Sequence, residues 1–245
     1  LDSDGEMAID TLIEDGDNYY YVDINGVMAS NQWVAIENED AGEDDEPEHY
    51  WYYFQANGKA LTNGDNDKVS LKTINGKKYE FDQHGAMTAE RSLDVEKASK
   101  DGVRSGNSSS STNSVAAQYA KEGRYFNSVE DGARVSRGWF KVVAAEYLNY
   151  DKYNDDEDAW YYADGSGNLY AGEFKTIKGK KYAFRDDGRM LNGLKFIKED
   201  EANQSLSVYA DDHDTYNFDN EDDFLDHAAE FYEPNGYKCF YFGDG

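Results

Sequence analysis

Apolar positions along this chain fall in short alternating runs, each of which closes on a glycine. In Trp51-Tyr52-Tyr53-Phe54-Gln55-Ala56-Asn57-Gly58 four aromatic residues lead into an Asn-Gly turn. The period of two that marks a half-buried strand puts Tyr52 and Phe54 on one face and Trp51 and Tyr53 on the other. With the glycine as origin, the pattern returns at Gly26, Gly58, Gly85, Gly132, Gly167, Gly188 and Gly245. Six residues earlier stand Tyr20, Tyr52, Tyr79, Phe126, Tyr161, Tyr182 and Cys239, and two residues after the first six glycines stand Met28, Ala60, Met87, Arg134, Leu169 and Met190. The position seven before the glycine reads Tyr19, Trp51, Lys78, then Tyr125, Trp160, Lys181, then Lys238, a triplet given twice and begun a third time. Offsets of 106, 109 and 103 residues between corresponding glycines agree with a duplication. Self-similarity of this kind is the signature of a repeat architecture, in which each unit needs its neighbours to bury its inner face.

The elements follow from that period. Trp33-Val34-Ala35-Ile36 reads as a strand, residues 37–48 as an acidic loop and Tyr50 to Gln55 as the return strand. Asn25-Gly26, Asn57-Gly58, Asn75-Gly76, Asp131-Gly132 and Asp187-Gly188 read as hairpin turns, since such dipeptides accept positive φ. Leu71 to Phe81 recurs almost verbatim as Phe174 to Phe184, with Tyr79, Phe81 and Met87 expected inside and Lys78 and Glu80 outside. The reading is an all-β solenoid of stacked β-hairpins, with short helices in the interruptions. Residues 1–15 are a lead-in, 16–90 a first module of three hairpins, 91–120 a linker and 121–193 a second module of three. Residues 194–245 are an acidic insertion followed by the start of a third module, whose inner face is expected to be Cys239 and Tyr241. Helices are expected from Ser114 to Glu122 and from Asp223 to Glu233.

Charge narrows the partners. With 51 Asp and Glu against 24 Lys and Arg the net charge is -27, which repels nucleic-acid backbones and anionic lipid. No apolar run approaches the roughly 20 residues of a membrane-spanning helix, so membrane insertion is not expected. The chain opens on Leu1 without a signal peptide and reads as a mature form or a fragment. Cys239 is the only cysteine, which excludes an intrachain disulfide and a cysteine zinc site. Acidic runs such as Glu43-Asp44-Asp45-Glu46 and Asp155-Asp156-Glu157-Asp158 lack calcium-loop spacing and read as solvated faces, compatible also with a basic protein partner. His49, His84, His213 and His227 are scattered, and no nucleophile elbow, phosphate loop or dinucleotide fingerprint is present, so no enzyme, metal or cofactor is expected.

Gly138-Trp139, Trp51-Tyr52-Tyr53-Phe54, Trp160-Tyr161-Tyr162 and Asn75-Gly76-Lys77-Lys78-Tyr79-Glu80-Phe81-Asp82 together resemble the cell-wall-binding repeat superfamily. Its branches are the choline-binding modules of Gram-positive surface proteins, the glucan-binding repeats of glucosyltransferases and the repetitive domains of clostridial toxins. The resemblance covers about residues 16–90 and 121–193, with a remnant at 236–245. It implies stacked hairpins, an extracellular, secreted or wall-associated location, and a wall polymer, glycan or choline-like ligand held by aromatic rings. Tryptophan occupies both cage positions only in the middle units, Trp33 with Trp51 and Trp139 with Trp160, and Tyr53 and Tyr162 share their side. These six are the expected ligand-binding residues. Leu71 or Phe174, with Lys78 or Lys181, stands at the equivalent positions of the third units. Such lysines repel a cation and favour hydroxyls or phosphate, hence a glycan or wall polymer over free choline. Two alternatives remain: a choline-type cage, and a structural or protein-docking module in which every tryptophan is a plug between hairpins.

Overall fold

The computed structural model describes residues 5–44, 46–64, 70–92, 124–145, 149–200, 205–208, 222, 225–226 and 236–243. Two compact units are present, one of Leu1–Val95 with Tyr125–Arg134 and one of Glu96–Arg124 with Val135–Gly245. Each is built from antiparallel strand pairs. In the first, β1 (Thr11–Asp15) pairs with β2 (Asn18–Val22), β3 (Gln32–Glu37) with β4 (His49–Phe54), and β5 (Lys72–Ile74) with β6 (Lys77–Tyr79). A further strand, β7 (Glu90–Ser92), pairs with β8 (Arg124–Phe126). In the second unit β9 (Gly138–Val143) pairs with β10 (Asp158–Ala163) and β11 (Glu173–Ile177) with β12 (Lys180–Phe184). Between β9 and β10 lies one helical turn, α1 (Tyr150–Asn154), which the sequence pattern did not announce. Finally β13 (Gly193–Asp200) lies between β14 (Ser205–Val208) and β15 (Lys238–Phe242) in a three-stranded sheet.

The glycine period has a physical cause in the turn that follows each hairpin. Asp23, Asp82 and Asp164 each stand three residues before the glycine, and one carboxylate oxygen of each accepts two backbone N–H groups of the turn at 2.8 and 2.9 Å. Such a side-chain-closed turn lets the chain reverse without a longer loop. The reversed chain then makes one isolated bridge, and the series Val22–Met28, Phe54–Ala60, Phe81–Met87, Ala163–Leu169 and Phe184–Met190 is regular. The fourth unit departs from it. There Phe126 bridges Arg134, so Phe126 takes the place of Phe54 and Phe81 rather than of Tyr52 and Tyr79 as the spacing from Gly132 suggested. Two extra residues in the turn account for the shift.

Successive hairpins are tied by a recurring backbone hydrogen bond. The N–H two residues after the glycine donates to the carbonyl seven before the preceding glycine: Ala60 to Tyr19, Met87 to Trp51, Arg134 to Lys78 and Met190 to Trp160, each at 2.8 Å. Side chains close the same seams. Tyr52, Phe54, Ala29 and Ala60 form a buried layer with Leu12, Tyr19 and Tyr21 of the first hairpin. On the opposite face of β3 and β4, Trp33, Trp51 and Tyr53 pack against Ile74, Tyr79, Phe81, Met87 and Ala133. Both faces of the middle hairpin are therefore covered, which is how hairpins too small to fold alone become stable.

Several sequence expectations change. Thr11–Asp15, unassigned within the lead-in, is the first strand of the first hairpin. Glu80, expected outside, is buried, whereas Tyr79, Phe81 and Met87 are inside as the alternation required. Of the Asn-Gly and Asp-Gly pairs, Asn75-Gly76 has positive φ at both residues, 48° and 80°, and joins β5 to β6; Lys178-Gly179 does the same at 49° and 80° without an Asn. At Gly26, Gly58 and Gly188 only the glycine is left-handed, and each turn follows a hairpin rather than joining its strands. The last strand faces the other way from expectation. Phe240 and Phe242 pack on Ala183, Leu191, Ile197 and Leu206, while Tyr241 is 77% exposed. Pairing with β13 sets that register, and the Phe174 ring rewards it, lying 5.0 Å from Phe240 and 6.5 Å from Phe242. Residues 194–200 and 205–208, read as insertion, are strands. The helix from Ser114 to Glu122 lies outside the described residues, and of the one from Asp223 to Glu233 only Leu225 and Asp226 are described, both helical.

Gly132 is required for a different reason from the other turn glycines. Its φ is not left-handed, but a Cβ there would lie 2.8 Å from the Thr88 carbonyl oxygen and 2.9 Å from the Met87 side chain. A backbone carbonyl cannot retreat as a side-chain end can. Gly132→Ala is expected to cost about 1–3 kcal/mol as overpacking, measured by denaturant unfolding. An unchanged midpoint would show that this seam is loose.

Candidate functional site

The two middle hairpins carry the same aromatic construction. Trp33 lies 5.2 Å from Tyr53, 5.0 Å from Tyr79 and 5.8 Å from Phe81, at interplanar angles of 67°, 61° and 29°. Trp139 lies 5.0 Å from Tyr162, 4.9 Å from Tyr182 and 5.9 Å from Phe184, at 75°, 61° and 27°. Edge-on and offset contacts at these separations are the preferred aromatic geometries. The duplication read from the sequence thus extends to ring positions. Strand register explains the first contact of each set, because Trp33 pairs with Tyr53 and Trp139 with Tyr162.

These contacts place the six expected residues. Trp33 and Trp139 are half-buried plugs between a hairpin and the next one. Tyr53 supports Trp33, and Tyr162 both supports Trp139 and stacks on Tyr170 at 5.3 Å and 9°. The side that alternation marked as outward is therefore a second packed face. Trp51 and Trp160 stand at its rim, and there the two copies differ.

In the first unit the rim is capped. The Trp51 Nε1–H donates to one oxygen of Glu130 at 3.0 Å, and the other oxygen meets His49 Nε2 at 2.8 Å. The His49 ring also lies edge-on to Trp51, with centroids 5.8 Å apart. In the second unit Trp160 stands perpendicular to Trp139, with centroids 6.4 Å apart at 89°, and remains 41% exposed. Asp158 occupies the place of His49, two residues earlier on the same strand, and Lys141 is the cross-strand partner of Trp160. Two aromatic walls at right angles, one of them open to water, form a corner that can take a flat apolar face or a cation.

The lysines set against a cation are engaged elsewhere. Lys78 donates to the Thr73 hydroxyl. Lys181 places its ammonium 4.4 Å from the centroid of Phe174 and 5.8 Å from that of Phe240. Tyr182, Glu130 and His49 were missed as parts of the two corners. The repeat alignment could have offered Tyr182, whereas Glu130 approaches Trp51 from 79 residues away with no local signal.

A buried polar knot supports the wall of the open corner. Asp187, beside Gly188 in the turn after Phe184, accepts from Asn149 Nδ2 at 2.9 Å, from Arg189 Nε at 2.7 Å and from the Arg189 N–H at 3.1 Å. Asn149 also caps α1 through Lys152 N–H, so this turn holds the connection between β9 and β10. Burial alone would raise the Asp187 carboxyl, but Arg189, then Asn149 and Arg185, outweigh it and hold it below the usual carboxylate range. A depressed folded value adds stability that is present above the unfolded value of about 3.9 and lost as pH falls through the folded one. Acidification below about pH 4 should therefore destabilise the wild type more steeply than Asp187→Asn, as read from melting temperature against pH. Parallel profiles would show that the ion pair adds nothing.

Part of this chain is similar to known proteins. Residues 10–28 match the family model described as a putative cell wall binding repeat. That segment spans β1, β2 and the bridging Met28. Glucosyltransferase-S of Streptococcus mutans is 25% identical over 195 residues, covering 79% of this chain and 10% of that protein. The chain thus spans about a tenth of the length of the curated relative it matches. Among solved structures, choline binding protein F from Streptococcus pneumoniae aligns at a TM-score of 0.35 and 19% identity, over 77% of this chain and 55% of that one. The modular autolysin LytC from the same species aligns at 0.36 and 17%, over 79% and 36%. One cell wall binding repeat is thus matched at residues 10–28, and hairpins closed by the same kind of isolated bridge recur along the rest of the described chain.

Proposed function

We propose that this chain is a non-catalytic binding module of an extracellular, wall-associated or secreted protein, and that it holds a wall polymer or glycan at Trp160. The observation that carries the reading is the open corner. A 41% exposed indole is kept perpendicular to a packed Trp139, although the same hairpin position in the first unit is capped by Glu130. An indole face suits the apolar C–H face of a pyranose, and Asp158 and Lys141 beside it offer groups for hydroxyls. On this reading the two triplets, 16–90 and 121–193, are the modules, and the second supplies the open site. Trp51 and Tyr53 of the first serve structure, Trp51 under its Glu130 cap and Tyr53 against Trp33.

A choline-type occupant is the second reading, favoured by the same corner because a quaternary ammonium is drawn to aromatic faces. Co-sedimentation with isolated Gram-positive cell walls, competed by choline, by dextran and by purified teichoic acid, separates the two. Displacement by dextran or teichoic acid but not by choline supports the polymer; displacement by choline supports the cage. Absence of sedimentation with any wall would leave the rings as packing and sink the proposal.

A further inference from the structure

The first unit carries a groove of about 1420 Å3 that none of the tryptophans lines. Its walls come from the first hairpin, from the far end of β3 and the loop after it, from β4, and from the turn around Asp82 and His84. The volume exceeds the roughly 300–1,000 Å3 of a single small-molecule site, so the shape suits several linked rings. Four tyrosines of two successive hairpins, Tyr19, Tyr21, Tyr50 and Tyr52, line it together with His84.

Its charge is one-sided. Asp10, Glu14, Glu37, Glu39, Asp40 and Asp82 line the groove, with no Lys or Arg in its lining among the described residues. Glu37, Glu39 and Asp40 form no ion pair among the described residues. The phenols register this environment. Tyr21 is pushed up to about 12, first by its hydrogen bond to Asp10, and Tyr50 to about 12, first by its bond to Glu46. Tyr19 and Tyr52 are also raised, chiefly by burial, with Glu14 and Asp82 adding to Tyr19 and Asp82 to Tyr52. All four therefore stay neutral inside a field that attracts cations; Tyr52 is buried and Tyr19, Tyr21 and Tyr50 are half-buried, so these three present the exposed ring surface of the groove.

We infer that this groove is a second polymer site, separate from the Trp160 corner, for a glycan of amino sugars in their ammonium form. Each feature answers one part of such a chain. The exposed tyrosine faces take the C–H faces of successive pyranoses, and Thr11 and Thr88 in the lining offer partners for ring hydroxyls. The unpaired carboxylates of Glu37, Glu39 and Asp40 meet the ammonium groups that a neutral glucan lacks. A basic peptide shares the charge but not the repeating flat faces that Tyr19, Tyr21 and Tyr50 on stacked hairpins address.

Calorimetric titration of the whole chain with a short oligomer of glucosamine at mildly acidic pH tests this. The N-acetylated oligomer of equal length and an oligolysine of equal charge serve as the other arms. The glucosamine oligomer should bind at least about tenfold more tightly than its N-acetylated form. The combined variant Glu37→Gln, Glu39→Gln, Asp40→Asn, all at exposed positions, should lose about tenfold of that affinity at an unchanged melting temperature. Tyr50→Leu should weaken the sugar and leave oligolysine unaffected. Equal binding of the acetylated oligomer would overturn the role of the ammonium groups. Oligolysine binding as tightly as the sugar, or glucosamine binding that survives the combined variant, would overturn the site. Should Tyr50→Leu unfold, the exposed carboxylate variant and the three ligands still decide.

Discussion

Trp139→Ala is expected to destabilise the second unit by about 3 kcal/mol or more, the loss typical of a large aromatic removed from a packed position. Trp139 touches Tyr162, Tyr182, Phe184 and Trp160, so its removal strips ring contacts from two hairpins at once. The cavity would lie in the seam that one backbone bond, Met190 N–H to the Trp160 carbonyl, otherwise holds. Trp33→Ala should cost the first unit a similar amount, because Trp33 contacts Tyr53, Tyr79 and Phe81 at nearly identical distances and angles. For a unit of roughly a hundred residues a loss of that size lowers the melting temperature by about 10 °C or more. Calorimetry of the two variants checks it, and a shift of only a degree or two would mean that the rings merely line a surface.

The opposite pattern is expected at the rim. Trp160 is 41% exposed and its nearest ring contact is one perpendicular approach to Trp139 at 6.4 Å, so Trp160→Ala should cost less than about 1 kcal/mol of stability. Its effect on binding should be large. An aromatic anchor at the centre of a contact is commonly worth about 2 kcal/mol or more, which is roughly thirtyfold in affinity for isolated walls. Trp51→Ala is the informative companion. Its indole N–H already belongs to Glu130 and its neighbour is His49, so its loss should change wall affinity by no more than about threefold.

The hairpins were legible because their causes are local. Alternation in Trp51 to Phe54, the Asn75-Gly76 turn and the recurring glycine each act within a few residues, and the structure places buried Tyr52 and Phe54 where that alternation put them. What stayed hidden depends on residues far apart. Alternation says only that Trp51 and Tyr53 oppose Tyr52; whether that side meets water or another hairpin is decided by Tyr79 and Phe81, which cover it. Glu130 on Trp51, and Phe174 beneath Phe240, are contacts of the same long-range kind. The reversed face of β15 follows from its pairing with β13, a partner with no glycine-anchored pattern of its own. Asp23, Asp82 and Asp164 were a missed local signal, since an acid three residues before a turn glycine accepts that turn's N–H groups.

The claim on which the rest depends is that one open tryptophan, Trp160, meets the polymer. Tryptophan emission followed during titration with solubilised wall polymer tests it most directly, on the wild type, Trp160→Ala and Trp51→Ala. The account predicts a saturable change in the wild type and in Trp51→Ala that disappears in Trp160→Ala while that variant stays folded. A response that persists without Trp160, or that vanishes with Trp51 instead, would contradict it.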